Sequence, residues 1–279
     1  MNADRTIAIA ARGTELVDAV GQRHAPAGDD ARIVSLVPSL TELVCELGLA
    51  ERLVGRTGFC VHPRATLKRM PKVGGTKDVD LAKLRALAPT HVIVNVDENR
   101  KETFEEIARF VPHVLVTHPL APRDNLALYR LIGGVFGREA QADALCERFE
   151  RAYAEATRAA TDFAPQRVLY LIWRKPWMTV ARETYISRTL ALVNWRTVPE
   201  TAAERYPETA LDEAALAGVD LVLASSEPFA FRKRDLGEIR ALTGKPVALI
   251  DGEMTSWYGP RAIAGLQYLP RFRRDLALE

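Results

Sequence analysis

The sequence predicts an α/β protein made of two halves, each built around a mostly parallel sheet. Short apolar runs bounded by turn residues recur along both halves, which is the pattern of parallel strands buried on both faces. Amphipathic segments of helical periodicity lie between these runs, and strands that alternate with helices form βα units. A central segment without any strand pattern separates the two halves.

The elements follow one another in the same rhythm in both halves. The predicted strands are 32–37, 53–55, 91–94 and 114–116 in the first half and 168–172, 219–224 and 247–250 in the second. The predicted helices between them are 40–47, 81–88, 101–110 and 212–216. Ser39 precedes the first of these helices, and its side chain is suited to cap the helix amino terminus.

The central segment predicts helices only. Residues 125–136 favour a helix interrupted at Gly133 and Gly134, and residues 138–162 contain neither Pro nor Gly. A helix over 138–162 would be about 37 Å long, and Pro165 ends it. A stiff connection follows, because a flexible linker would be rich in Gly, Ser and Pro. We therefore expect a lobe at 1–124, a helical segment at 125–163 and a second lobe at 164–279.

Composition excludes several classes of protein. The chain has 279 residues, of which 48% are hydrophobic, and 38 Lys and Arg balance 36 Asp and Glu. A formal net charge of +2 gives no basic field for nucleic acid, and three cysteines give no disulfide framework. No apolar run is long enough to predict a membrane span.

The expected location depends on the amino-terminal residues. The apolar stretch at 7–11 is shorter than the apolar region of a signal peptide. We therefore expect a cytoplasmic protein, with a periplasmic location as the alternative if an export signal has been removed.

The loops that follow the predicted strands predict a binding cleft, because ligands of open α/β sheets bind at the carboxyl ends of the strands. Three of the four tryptophans lie in these loops, with charged residues beside them. Large aromatic side chains in loops indicate a binding surface. Of these loop residues, Trp173, Trp177 and Trp257 would offer flat faces to an organic ligand, and Arg174 and Arg261 would meet its carboxylates.

A metal site is one interpretation of the residues near the second strand. Cys60 and His62 could both ligate a metal if the loop turns them inward, with Glu227 or Glu253 approaching from the second lobe. Cys60 could equally be a small buried residue, the two glutamates could cap helices, and Trp173 or Trp177 could pack on the long helix. No nucleophile, base and orienting group can be named, so we expect no enzyme.

Three stretches resemble the class III substrate-binding proteins, the receptors for cobalamin, ferric siderophores and haem that feed bacterial ABC importers. The stretches are 18–21 with 32–42, 73–75 with 80–94, and 256–261. The resemblance extends from about Val17 onward. It implies two Rossmann-like lobes with mostly parallel sheets, joined by one long backbone helix, with the ligand held in the cleft between them.

The resemblance also implies a set of ligand contacts and a partner. By position, the contacts would be Ser39, Phe59, Cys60 and His62 in the first lobe and Trp173, Trp177, Glu227, Trp257, Tyr258 and Arg261 in the second. Cobalamin receptors carry an aromatic residue where Thr76 and Lys77 stand here. Family members dock on a permease through one carboxylate per lobe; Glu213 matches one position, but Ala82 occupies the other. We therefore expect weak or absent coupling to a permease.

The leading functional hypothesis is a non-catalytic receptor for a metal-containing or metal-chelating small molecule of the cobalamin, haem or siderophore type; the ligand itself could be a metal ion or a metal chelate. Residues 59–63, 173–176 and 251–254 resemble a subgroup that lacks signal peptides. The alternative hypothesis is a cytoplasmic metal-delivery protein or an enzyme on the same scaffold. A third is a domain that acts only through protein partners.

Overall fold

The computed structural model describes residues 15–276, and it confirms the predicted α/β class with two parallel sheets. Each sheet has four strands, and every strand pairing is parallel. The strands of the first sheet are β1 (Ile33–Ser35), β2 (Leu53–Arg56), β3 (His91–Asn95) and β4 (His113–Thr117). Those of the second sheet are β5 (Gln166–Leu171), β6 (Trp195–Thr197), β7 (Leu221–Ser225) and β8 (Val247–Ile250).

Strand order places a binding crevice in each lobe. The first sheet runs β2-β1-β3-β4 and the second β6-β5-β7-β8. In both sheets the chain adds a strand on one side of the starting strand and then continues on its other side. The crevice between the loops after β1 and β3, or after β5 and β7, is therefore the topological switch point where ligands of such sheets bind.

The helices cover the faces of the two sheets and connect them. In the first part of the chain they are α1 (Pro38–Glu46), α2 (Arg64–Leu67), α3 (Leu81–Ala86), α4 (Lys101–Ile107), α5 (Asp124–Val135) and α6 (Glu139–Ala159). In the second they are α7 (Tyr185–Ala191), α8 (Leu236–Thr243), α9 (Gly252–Ser256) and α10 (Arg261–Leu276). No helix within residues 15–276 has the length and apolarity to cross a membrane.

The long connecting helix is confirmed. α6 is unbroken over 21 residues and continues as a 3-10 turn at Ala160–Asp162, so its α-helical part is about 31 Å long. Its buried residues recur every three or four positions, which places them on one face of the helix. They are Ala142, Leu145, Cys146, Phe149, Ala152 and Ala156. This face lies against both α5 and α10.

Three local predictions are wrong. Gly133 and Gly134 do not interrupt α5; a Cβ at Gly133 would lie 2.5 Å from the Cβ of Ala142, so the glycine lets α6 approach closely. Residues 212–216 form turns rather than a helix, with the Asp212 carboxylate accepting a hydrogen bond from the Ala215 amide at 2.9 Å. Ser39 does not cap α1, because Pro38 already opens the helix.

One hydrophobic core is shared by the two lobes. It combines residues of α1, α5 and α6 with five from the second half of the chain, which are Tyr185, Tyr258, Ala262, Ile263 and Leu266. Hydrogen bonds fix the contact: the Tyr129 hydroxyl donates to the Gly259 carbonyl at 2.8 Å, and the Gly259 amide donates to Asn125 Oδ1 at 2.7 Å. Gly259 has φ of +74°, a conformation that favours glycine. The lobes are thus packed firmly on each other beside the cleft.

Candidate functional site

The loops at the carboxyl ends of the two sheets meet each other across a cleft. On one edge the loop 57–63 after β2 contacts the segment 251–260 after β8. In the centre the loop 96–100 after β3 contacts the same segment 251–260. On the other edge, the loops after β3 and β4 contact residues 198–211, which follow β6. The cleft therefore lies where the strand-end rule predicts a ligand.

A chain of polar and charged side chains crosses the first edge. The Nε2 atom of His62 lies 3.2 Å from the Glu253 carboxylate, and the His62 ring meets Trp257 edge to face at 5.7 Å. Arg261 donates two hydrogen bonds to Glu42, at 2.6 and 2.9 Å, and approaches Glu253 at 3.0 Å. Its guanidinium also lies 5.0 Å from the centre of the Trp257 ring. Arg261 thus links α1, α9 and the tryptophan into one structure.

Removing this guanidinium should destabilise the protein. We expect Arg261→Met to lower the free energy of unfolding by about 1–3 kcal/mol, because it leaves the partly buried Glu42 carboxylate without its cation and leaves Glu253 with His62 alone. Arg182→Met is the matched control: Arg182 pairs with Glu200 at 3.3 Å on the surface, and such pairs contribute at most about 1 kcal/mol. Urea denaturation measures both variants. Equal losses would contradict the role given to Arg261.

The centre of the cleft holds a carboxylate from the first lobe. Glu98, three residues after β3, accepts a hydrogen bond from the Tyr258 hydroxyl of the second lobe. Burial raises the pKa of Glu98 to about 7, and the nearby Glu227 charge acts in the same direction. Burial, followed by the Glu98 charge, raises the pKa of the Tyr258 phenol well above its ordinary value. The Glu98 carboxyl group can therefore hold or lose a proton near neutral pH.

The second lobe contributes Glu227, which follows β7. Its carboxylate accepts hydrogen bonds from the Ser256 hydroxyl at 2.8 Å and from the Trp257 indole nitrogen at 2.5 Å. Burial raises the pKa of Glu227. Glu227 therefore fixes the orientation of the Trp257 ring, and Trp257 is 8% exposed. Glu227 does not cap a helix.

The opposite edge contains residues that the sequence did not single out. Arg205 forms an ion pair with Asp97 and donates to His118 Nε2 at 2.7 Å. The Tyr206 hydroxyl donates to the other Asp97 oxygen at 3.3 Å, and Lys77 Nζ donates to the Asp97 carbonyl at 2.7 Å. The segment 198–211 shows no strand or helix pattern in the sequence. Its arginine and aromatic residues were therefore the one sequence signal that could have indicated a site there.

Cys60 is separated from the other predicted ligand residues. Its side chain is fully buried in the shared core, and its sulfur lies 3.0 and 3.1 Å from the hydroxyls of Thr41 and Thr57. Burial raises the pKa of the thiol, which favours the neutral form over the metal-binding thiolate. The structure therefore favours the interpretation of Cys60 as a small buried residue, and the pairing of Cys60 with His62 as metal ligands stays a prediction.

Two predicted aromatic residues are exposed to solvent and two are packed. Phe59 is 63% exposed and lies over Gly75, whereas Trp173 is 40% exposed and meets Phe229 edge to face at 5.7 Å. Trp177 stacks on Phe231 at 6.1 Å and belongs to a core cluster of the second lobe, not to the long helix. Tyr258 is 6% exposed.

Arg174 makes its ion pairs within its own lobe. It donates to both oxygens of Glu238, at 2.8 and 3.0 Å, and lies 3.7 Å from Asp235. Its guanidinium is also 5.6 Å from the centre of the Trp177 ring. With its charge compensated by two carboxylates, Arg174 is not positioned to meet a ligand carboxylate.

The side chains of the cleft do not form a complete metal site. Among residues 15–276, no group of three or more His, Cys, Asp and Glu residues is arranged to hold a metal ion. His62 and Glu253 are the two predicted ligand residues that the structure does bring together.

Comparisons with known proteins agree with this architecture. The family model described as periplasmic binding protein matches residues 33–235. The vitamin B12-binding protein of Vibrio vulnificus (strain CMCP6) is 22% identical over 242 residues, covering 85% of this chain and 87% of that protein. An ABC transporter substrate-binding lipoprotein of Bacillus subtilis (strain 168) is 24% identical over 251 residues, covering 85% and 78%.

A solved structure shows the same fold. The periplasmic haem-binding protein of Roseiflexus sp. RS-1, in its apo form, superposes with a TM-score of 0.76 at 22% identity, covering 88% of this chain and 98% of that one. These three proteins are named as binding proteins; the Roseiflexus protein is called periplasmic and the Bacillus protein a lipoprotein. They fit the periplasmic alternative and give no support to the cytoplasmic expectation. Because the family model spans more than half of the chain, the protein belongs to the periplasmic binding protein family.

Proposed function

We propose that this protein is the non-catalytic receptor of an ABC importer. It binds a metal-containing or metal-chelating small molecule of the cobalamin, haem or siderophore type in the cleft between the lobes. One observation carries the proposal: loops at the carboxyl ends of two parallel sheets face each other and present aromatic and charged side chains. A cleft of this kind suits a flat or ring-shaped ligand with polar edges.

The proposed contacts with the ligand are the cleft residues of the two lobes. They are Ser39, Phe59, His62, Trp173, Glu227, Trp257, Tyr258 and Arg261. Phe59 and Trp173 stand on opposite lobes and are exposed, so each can cover one face of an organic ligand. His62 is the proposed contact for a metal held by a chelator, because its imidazole can ligate a metal. In the structure this ring lies beside the Glu253 carboxylate.

The names of the relatives support the ligand class. The Vibrio protein is named for vitamin B12 and the Roseiflexus protein for haem, and both ligands are large metal-containing rings. None of these three relatives is named as an enzyme or as a metal-delivery protein, so they do not support that alternative. We therefore favour a receptor that releases its ligand unchanged.

We propose a periplasmic or surface-anchored location, as in the relatives, with a permease as partner. Glu213 and Ala82 are both exposed, one in the turns that precede β7 and the other on α3. The substitution at Ala82 leaves one of the two docking carboxylates missing. Weak coupling to a permease therefore stays our prediction, and binding of the pure protein to candidate permeases in nanodiscs tests it.

Loss of the exposed aromatic rings should weaken ligand binding. We expect the double variant Phe59→Ala/Trp173→Ala to lose at least tenfold in affinity, about 1.4 kcal/mol, for whichever of cyanocobalamin, haem or ferrichrome the parent binds. Equilibrium dialysis with absorbance detection measures the affinity without relying on tryptophan fluorescence. Leu242→Ala is the matched control, since Leu242 is 52% exposed on α8, outside the cleft.

Two outcomes would contradict the proposal. Failure of the parent protein to bind any of the three probes would count against a receptor of this ligand class. Equal affinity of the parent and the double variant, with an unchanged melting temperature, would instead place the ligand away from Phe59 and Trp173.

A further inference from the structure

Two carboxylates from opposite lobes stand in the cleft without an ion pair to any cation in the described part of the chain. Glu98 follows β3 and Glu227 follows β7, so each belongs to the switch point of its own sheet. The donors that reach them are the Tyr258 hydroxyl, the Ser256 hydroxyl and the Trp257 indole nitrogen, all of them neutral. Carboxylates that are partly buried are normally paired with a cation.

The cations nearby are already compensated by other carboxylates. Arg205 pairs with Asp97, and Arg261 pairs with both Glu42 and Glu253. Lys77 is a further cation at this place, and its Nζ donates to the Asp97 carbonyl, with no ion pair to Glu98 among residues 15–276. Carboxylates therefore outnumber cations in the centre of the cleft, where a ligand would lie.

A second observation at the same place also points to a ligand. Ser39 is 3% exposed, and its hydroxyl has no hydrogen-bond partner among residues 15–276. It lies beside the Tyr258 phenol that bonds Glu98. Buried polar atoms are nearly always satisfied, so this hydroxyl, whose contact with Tyr258 falls short of hydrogen-bond geometry, is free to bind a further polar group. The free hydroxyl and the two carboxylates therefore share one region of the cleft.

The ionisation of the two carboxyl groups agrees with this picture. Burial raises the pKa of both, and the Glu227 charge contributes to the shift at Glu98. A positive charge or an N–H donor between them would remove part of this unfavourable energy. An anionic group in the same place would increase it.

We propose that the cleft selects its ligand by charge. Glu98 and Glu227 bind a ligand that is cationic, or neutral and rich in N–H donors, and they exclude anionic chelates. This inference rests on the proposed receptor function and narrows its ligand class, because haem with its propionates and ferric catecholate siderophores are disfavoured. Amide-bearing corrinoids and cationic or neutral hydroxamate chelates are favoured.

Probes that differ mainly in charge test the inference. Equilibrium dialysis at pH 8 and low salt compares neutral cyanocobalamin with its anionic monocarboxylate, and cationic ferrioxamine B with neutral ferrichrome and anionic ferric enterobactin. We expect the more cationic member of a set to bind at least tenfold more tightly. In Glu98→Gln/Glu227→Gln this ratio should fall below about threefold, since the charges that set it are gone. Glu102→Gln/Glu155→Gln removes two exposed charges outside the cleft and should leave the ratio unchanged.

The outcomes separate this inference from the receptor function. Tighter binding of the anionic member, or a ratio that survives in Glu98→Gln/Glu227→Gln, overturns selection by charge and leaves the receptor standing. Failure of every probe to bind contradicts the receptor function itself, and the inference falls with it. A melting temperature for each variant shows that the protein tested is folded.

Discussion

Replacement of Phe149 by alanine is expected to lower the free energy of unfolding by about 3–5 kcal/mol. Phe149 is fully buried near the middle of α6. Its ring meets Tyr129 edge to face at 6.3 Å and stacks on Tyr153 at 5.9 Å. Because α5 and α10 both pack on α6, neighbouring groups cannot easily move in to fill the space. The variant should retain a cavity.

The matched control lies two residues away on the same helix. Arg151 is exposed and pairs loosely with Glu147 at 3.9 Å, so Arg151→Ala should change the free energy of unfolding by no more than about 0.5 kcal/mol. Urea denaturation followed by circular dichroism measures both variants. A loss below about 1 kcal/mol for Phe149→Ala would show that the α5–α6–α10 contact is not the close-packed core described above.

Glu98→Gln is expected to stabilise the protein at pH 8 by about 1–3 kcal/mol, with the gain disappearing below about pH 4.5. The pKa of Glu98 is about 7 in the folded protein, against an ordinary value of 4.5. The pKa of Glu98 is higher in the folded protein than in the unfolded chain. Folding is therefore favoured at low pH, where Glu98 is protonated in both states, and this contribution to stability is lost as the pH rises through 7. Glutamine resembles the protonated form of Glu98, so the variant retains this stability at pH 8. The expected gain in the free energy of unfolding is smaller than the full pKa difference would give, because Glu98 is partly exposed and solvent screens its charge.

Denaturation curves at several pH values between 4 and 8 measure the difference between the variant and the parent. The control is Glu155→Gln, an exposed glutamate on α6, which should give a small difference that does not change with pH. A constant difference for Glu98→Gln would contradict a carboxyl group that titrates near neutral pH in the folded protein.

The strands were predictable where their residues are continuously apolar. The runs at β3, β5 and β7 leave little choice, since β-branched and aliphatic side chains fill both faces of a buried strand. The edge strand β6 escaped prediction because it is only three residues long, with an exposed arginine between two buried residues. α10 escaped it because Pro270 lies inside the helix, and an internal proline normally indicates a helix end.

The site was predictable to the level of loops and not of contacts. The strand-end rule selected the loops that carry His62, Glu227 and Trp257, because parallel strands bring their carboxyl ends to one edge. It could not select Glu42 as the partner of Arg261, since pairing across 219 residues depends on how the lobes pack. Nor could it tell that the loop turns Cys60 into the core. The division at residues 124 and 163 and the ligand contacts stay predictions.

The core shared by the two lobes has a consequence for how such a protein can evolve. A module that can be exchanged between proteins needs a core of its own. Here Tyr258, Ala262, Ile263 and Leu266, which come from the far end of the chain, complete a core whose other walls are α1, α5 and α6. Neither lobe could be copied, swapped or lost alone without exposing apolar surface. We therefore expect new specificities to arise more readily by substitutions within the strand-end loops than by exchange of a whole lobe.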